Sequence, residues 1–434
     1  ALQREPHDPR WWRAWAALGH RTEDWAIIAA AYQGLAQRAS LTPAEYAWWA
    51  RALRELGDLA AARRVLAQGV RAYPDSSLLW QDRAVLAEAA RDWDDARVAW
   101  ARAWALAPHD PATGYGYARV LLAEQPAAAV PVLREVQALG VSPWSPAAHV
   151  ALQTVEPALA SEDPVYLAVQ SGRALARLGH WALAQRAWTR AVYIDPARAA
   201  AWAYLAQAYA VQGQLQRAEG AVWLARRIQP QDPLPALTAT WLYSRLGRPY
   251  HVLRWARRAW SLRPDDPTAA LALAQAEVAT GTSPAIANTL LRYVTQQRPQ
   301  DPDAWLAQAR FGLTFHLPAD EVEPALVTAL RLAPHDPRGW TLMGRFVWQQ
   351  GELGLAQRYL TEALQRDPGW AEAHLVLAWV LLDQGNVAQA WPHAQAAYDL
   401  TRPDDPLRTF AARTLARLSG QVVSPTQSGL PVDR

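Results

Sequence analysis

An all-α solenoid of about eleven helix–turn–helix units is what this 434-residue sequence predicts, on three observations. The tetrad Pro-x-Asp-Pro recurs, starting at Pro6, Pro108, Pro230, Pro264, Pro299, Pro334 and Pro403, while Pro74, Pro196 and Pro368 keep the phase with altered partners. The period is close to 34 residues, the distance from Pro74 to Pro108, Pro196 to Pro230, Pro230 to Pro264 and Pro334 to Pro368. Glycine falls about half-way through most periods, at Gly57, Gly179, Gly213, Gly247, Gly281, Gly351 and Gly385. A repeat of that length marks stacked units, none of which can bury its apolar face alone.

Each part of the period has a physical reading. The first Pro of a tetrad stops one helix. The Asp accepts from the free N–H groups of the next helix as its N-cap, and the second Pro fits the first turn. The half-way Gly takes a positive φ and reverses the chain between two helices. Within the helices, aromatics recur at Trp12, Tyr46, Trp80, Trp202, Trp305 and Trp340. Small residues follow four positions on, at Ala16, Ala50, Ala84, Ala118, Ala206 and Gly344, with Gly172 in phase. In the second helix they sit early (Ala62, Ala96, Ala184, Ala218, Ala356, Ala390) and late (Ala103, Ala191, Ala225, Ala259, Ala363, Ala397).

With these positions filled over most of residues 1–418, the sequence resembles the tetratricopeptide repeat family. The resemblance implies a right-handed superhelix of paired helices with a concave face lined by the first helix of each pair. It also implies a protein or peptide as partner.

The phase slips between about Ser142 and Asp163 by enough residues for one extra helix. The expected organisation is a first array of about four repeats (1–142), an irregular extra helix or linker (143–163) and a second array of about seven repeats (164–403). A half-repeat helix (404–418) and a flexible tail (419–434) would follow. One repeat has His316 where the others have their half-way Gly. Ala1–Glu5 reads as the last turn of a helix whose start is missing, which leaves an uncapped solenoid end. A chain starting without Met favours an extracytoplasmic or cell-surface location over a cytoplasmic one.

Composition narrows the function classes. Cys is absent, which removes disulfides, thiolate metal sites and Cys nucleophiles. All 43 basic residues are Arg, so no Walker-type Lys exists, and neither Gly-x-Gly-x-x-Gly nor Gly-x-Ser-x-Gly occurs. His7, His109 and His335 repeat one tetrad position and are too far apart to share a metal, and no His pair has ligand spacing. No catalytic residue, cofactor or metal is therefore expected. No apolar run reaches the ~18–20 residues of a membrane span. The Arg-only basic set and 24 Trp against 4 Phe point to a GC-rich, thermophilic genome.

Arg226, Arg227, Arg254, Arg257, Arg258 and Arg263 form a basic stripe on successive second helices. Acidic residues nearly balance Arg (net charge +3), so the expectation is ion pairing between repeats, not nucleic-acid binding.

On the concave side the first array is mixed: Arg13, Ala17, Arg51, Gln81 and Arg119. The second array turns apolar, with Leu234, Leu237, Trp241, Leu271, Leu306, Leu313, Trp348, Leu375 and Trp379, edged by Gln275, Arg310 and Arg345. Aromatics in a groove typify recognition surfaces. The first expectation is thus a non-enzymatic scaffold holding a peptide or helix in this groove. The alternatives are a subunit that self-assembles head to tail into a fibre through solenoid ends and tail, and an accessory subunit of a secretion or glycosyl-transfer complex.

Overall fold

The computed structural model describes residues 8–401 and 405–419. Among these residues there are 24 α-helices and no strand. The first four pairs are α1 (Pro9–Thr22) with α2 (Trp25–Ala36), α3 (Pro43–Glu55) with α4 (Leu59–Ala72), α5 (Ser77–Ala89) with α6 (Trp93–Leu106), and α7 (Pro111–Glu124) with α8 (Pro126–Ala138). A single helix, α9 (Trp144–Leu159), comes next. Pairing resumes with α10 (Pro164–Arg177) and α11 (Trp181–Ile194), α12 (Ala199–Val211) and α13 (Leu215–Ile228), then α14 (Pro233–Arg245) and α15 (Pro249–Leu262). The last pairs are α16 (Pro267–Thr280) with α17 (Pro284–Gln297), α18 (Pro302–Thr314) with α19 (Ala319–Leu332), α20 (Pro337–Gln349) with α21 (Leu353–Arg366), and α22 (Ala371–Asp383) with α23 (Val387–Leu400). The helix α24 (Pro406–Leu418) closes the series. Eleven pairs thus stand where about eleven repeats were expected. Ala1–Glu5 and residues 420–434 of the tail lie outside the described residues.

The tetrads act as N-terminal stops. The carboxylates of Asp8, Asp110, Asp232, Asp266, Asp301, Asp336 and Asp405 each accept from the backbone N–H two residues on. All seven half-way glycines have φ between 62° and 85°, and His316 takes the same left-handed conformation with φ 50°. A residue with a Cβ is strained there.

The aromatic position has a polar task as well. The indoles of Trp80, Trp202, Trp305 and Trp340 donate to the carbonyls of Pro74, Pro196, Pro299 and Pro334, six residues earlier, at 2.8–2.9 Å. Those carbonyls follow a helix end and have no helical partner of their own. In the next repeat His374 replaces Trp, and its Nε2 makes the same bond to the Pro368 carbonyl at 3.0 Å.

The small residues are what allow close stacking. All twelve second-helix alanines named above are at most 1% exposed. At Gly172, a Cβ would run into the Trp188 indole.

The chain divides into two compact units, with the seam between Ala221 and Val222 inside α13. In the first unit, α9 packs on α8 and α10, while α7 also reaches α10 and α11 directly.

Candidate protein-interaction surfaces

In the second unit the first helices of successive pairs pack on one another: α14 on α16, α16 on α18, α18 on α20, α20 on α22, and α22 on α24. No comparable packing joins the second helices α15, α17, α19, α21 and α23 to each other among the described residues. The side where neighbours touch is the inner side, so the first helices line it. Their ninth residues form one row: Trp241, Gln275, Arg310, Arg345, Trp379 and Thr414.

The twelve residues expected to line the groove fall into two groups. Towards α14 and α16, Leu234, Leu237, Leu271 and Trp241 are half-buried and Gln275 is exposed. The Arg245 guanidinium lies over the Trp241 ring, 5.4 Å from its centroid. From α18 onward, Leu306, Leu313 and Leu375 are buried, with 6%, 2% and 1% of their surface exposed, so they form the floor beneath the surface. Trp348 and Trp379 stack with centroids 5.9 Å apart and planes 28° apart. Their indoles donate to the Asp383 carboxylate (2.8 Å) and the Thr414 hydroxyl (3.0 Å). Phe410 meets Trp379 edge-on.

Beside this pair the inner row is charged. Arg310 on α18 forms an ion pair with Glu372 on α22 at 3.1 Å, two repeats away. Arg345, on the helix between them, has no carboxylate within ion-pair distance among the described residues. Burial pushes its guanidinium below the usual value; nearby Glu372 opposes that shift and Arg310 adds to it.

The first unit differs. Four inner polar residues of α1–α7 reach neighbouring repeats: Arg13 pairs with Glu45 (2.7 Å), Arg51 with Asp82 (2.9 Å), Arg119 with Glu88 (2.9 Å) and Gln81 with Asp110 (2.6 Å), although the Arg119 Nε has no hydrogen-bond partner among the described residues. Burial raises the carboxyls of Asp82 and Glu88 despite these arginines.

Two histidine environments were not readable from spacing. His374 and His393 face each other from α22 and α23, with Nδ1 atoms 2.9 Å apart. Since the Pro368 carbonyl can only accept, His374 carries its proton on Nε2, and His393 must donate from Nδ1. Burial, then the neighbouring His374, lowers the His393 pKa. No group of three or more His, Asp or Glu among the described residues could hold a metal ion.

The second environment is a pH-sensitive joint in the first unit. His180, at the N-cap of α11, has its Nε2 3.0 Å from the Tyr115 hydroxyl of α7, and Tyr115 packs on Trp144 of α9. Burial, with help from the Arg119 charge, pushes His180 down to about 4. The unfolded chain, near 6.5, binds a proton that the folded chain refuses. Stability is therefore full above about pH 6.5 and falls as the pH drops towards 4, by roughly 2 kcal/mol after allowance for partial exposure. Urea midpoints followed by circular dichroism at pH 7 and pH 5 should show this loss, and His180→Gln should remove the His180 share of it, leaving the smaller contributions of His20 and His393, which burial also lowers.

The basic stripe departs from expectation. Arg257 forms an ion pair with Glu277 at 2.9 Å, as inter-repeat pairing would have it. Arg226, Arg227, Arg254, Arg258 and Arg263 have no carboxylate partner among the described residues. Ion pairing between repeats does not account for them. Around Arg226, Arg227, Arg254 and Arg258 the surroundings are Trp223, Trp255 and Pro230, with no acid among the described residues.

Tetratricopeptide-repeat models match the sequence in three separate stretches, residues 43–86, 169–233 and 347–406. Each stretch coincides with helices whose caps, reversals and small contact residues are described above. The chain is a tetratricopeptide-repeat protein. Its repeats make it a protein-interaction scaffold. Among solved structures it is similar to yeast Tom70, with 13% identity, 96% of each chain covered and a TM-score of 0.42. A tetratricopeptide-repeat protein from Parabacteroides merdae is 14% identical over 58% of this chain and 99% of its own, with a TM-score of 0.47. A thermophilic counterpart from Thermus thermophilus is 20% identical over 42% of this chain and 98% of its own, with a TM-score of 0.38. No curated protein matches the sequence. No helix of this tetratricopeptide-repeat protein is long and apolar enough to cross a membrane, among the described residues.

Proposed function

We propose that this protein is a non-catalytic scaffold that holds an apolar peptide or helix on the inner face of its second unit. The observation that carries the reading is the contrast between the two inner rows. The first unit spends Arg13, Arg51, Gln81 and Arg119 on carboxylates of neighbouring repeats. The second presents a stacked Trp348–Trp379 pair beside Arg345, a guanidinium with no ion-pair partner among the described residues. Aromatic anchors supply apolar contact area at low entropic cost. An unpaired, partly desolvated Arg rewards a carboxylate that arrives with the ligand. The favoured ligand is thus an apolar segment bearing one Asp or Glu.

Selection of peptides from a random display library on the full chain tests this. The expected consensus is apolar with one acidic residue. Arg345→Gln should weaken the selected peptides about tenfold, the value of one charge-assisted hydrogen bond. Trp379→Phe, which keeps a ring on Phe410 but loses the indole donor, should weaken them less. Peptides indifferent to both changes would move the binding face elsewhere. Sedimentation that grows with concentration and stops after the same changes would replace this reading with the self-associating subunit.

A further inference from the structure

A second surface of this unit, away from the inner row, is built for an anion. Between α15 and the second half of α13 lies a cleft of about 710 Å³. Trp223, Arg226, Arg227 and Pro230 line it from one side and Arg254, Trp255 and Arg258 from the other. Four guanidiniums and no carboxylate face one space. Among the described residues, Arg258 reaches only the Pro230 carbonyl, at 3.5 Å. Arg226 and Arg254 lie over the Trp255 ring at 5.5 and 5.6 Å, and Arg227 over Trp223 at 5.2 Å. The indoles thereby fix three of the four charges by cation–π contact while leaving the N–H forks without a protein partner among the described residues.

We propose that this cleft binds a short acidic segment of a partner protein, with paired Asp or Glu carboxylates held bidentately by the arginine forks. Three observations favour that occupant. The cleft has the volume of a pocket for a few residues, not a track. The charge is concentrated there: Arg257 on the same α15 is neutralised by Glu277, and on the following helices Arg292 is neutralised by Glu321 and Arg298 is shared between Asp266 and Asp301. That leaves Arg263 at the end of α15 as the other stripe arginine without a carboxylate among the described residues. A nucleic-acid backbone needs a continuous run of unpaired cations. Paired carboxylates match the planar forks, and the partner supplies the acid that the facing helices lack.

Fluorescence anisotropy with fluorescein-labelled hexa-glutamate, using the full chain, tests the proposal. Binding should weaken with salt, and hexa-glutamine should not bind. Arg226→Gln with Arg258→Gln, both at exposed positions, should cost at least about tenfold in affinity with unchanged helix content. Arg292→Gln, outside the cleft, should leave it unchanged. A phosphoserine peptide that binds more tightly, with the same dependence on Arg226 and Arg258, keeps the proposal and assigns phosphorylation as the source of the oxyanion. Tighter binding of oligothymidylate than of either peptide would overturn it in favour of nucleic acid. So would hexa-glutamate binding that survives the double substitution.

Discussion

Arg257→Ala should destabilise the second unit by about 3 kcal/mol, although the lost side chain is itself half-exposed. The cost comes from the residue left behind. Glu277 on α16 is 1% exposed, and Arg257 of α15 reaches its Oε1 with both Nε (3.1 Å) and Nη2 (2.9 Å). Its Oε2 already lacks a partner, so removing the guanidinium strands a buried carboxylate. Losing one partner of such a pair costs several kcal/mol, whereas replacing both with apolar groups is often nearly neutral. The double variant Arg257→Ala, Glu277→Leu should therefore recover most of the loss. Urea unfolding of the three proteins, followed by circular dichroism, measures it. A single variant within about 0.5 kcal/mol of the parent, the range of ordinary surface changes, would show that Glu277 is not held by this pair.

Much of the fold was legible because its signals are local. An Asp one residue before a Pro can only cap the helix that the Pro begins, and a Gly between two apolar stretches reverses the chain. The period then states how many times this happens. The groove was half-legible: the ninth residue of each first helix faces inward, and that much follows from period and helical geometry. What spacing did not reveal is which polar residues are already spent. Arg310 finds Glu372 across an intervening helix, and His374 finds His393 across a helix pair. Both depend on how helices cross and which rotamers reach. The basic stripe shows the same limit. Near-balanced charge over the whole chain suggested pairing, yet the helix facing Arg226 and Arg227 offers Trp255 and Arg254 instead of acids.

Trp188→Ala should cost about 3–5 kcal/mol in the first unit, as the removal of a fully buried aromatic does. Trp188 on α11 has no exposed surface, stacks on Tyr204 of α12 at 5.7 Å, and donates from its indole to the Val169 carbonyl of α10 at 3.1 Å. It joins three helices of consecutive repeats. Gly172 makes room for it, since any Cβ there meets the indole. The space vacated by the indole can therefore be refilled from the opposite side. Gly172→Leu alone should destabilise by overpacking, by about 1–3 kcal/mol. Added to Trp188→Ala, it should restore about 1–2 kcal/mol, because it fills the cavity and removes a mid-helix Gly worth about 1 kcal/mol. The coupling between the two substitutions is the decisive quantity: strict additivity would mean that the indole and the glycine do not share the space. Hydrogen exchange should locate the damage in α10–α12 and spare α1–α4, since each repeat of a solenoid leans on its neighbours and loosening spreads outward from the broken contact.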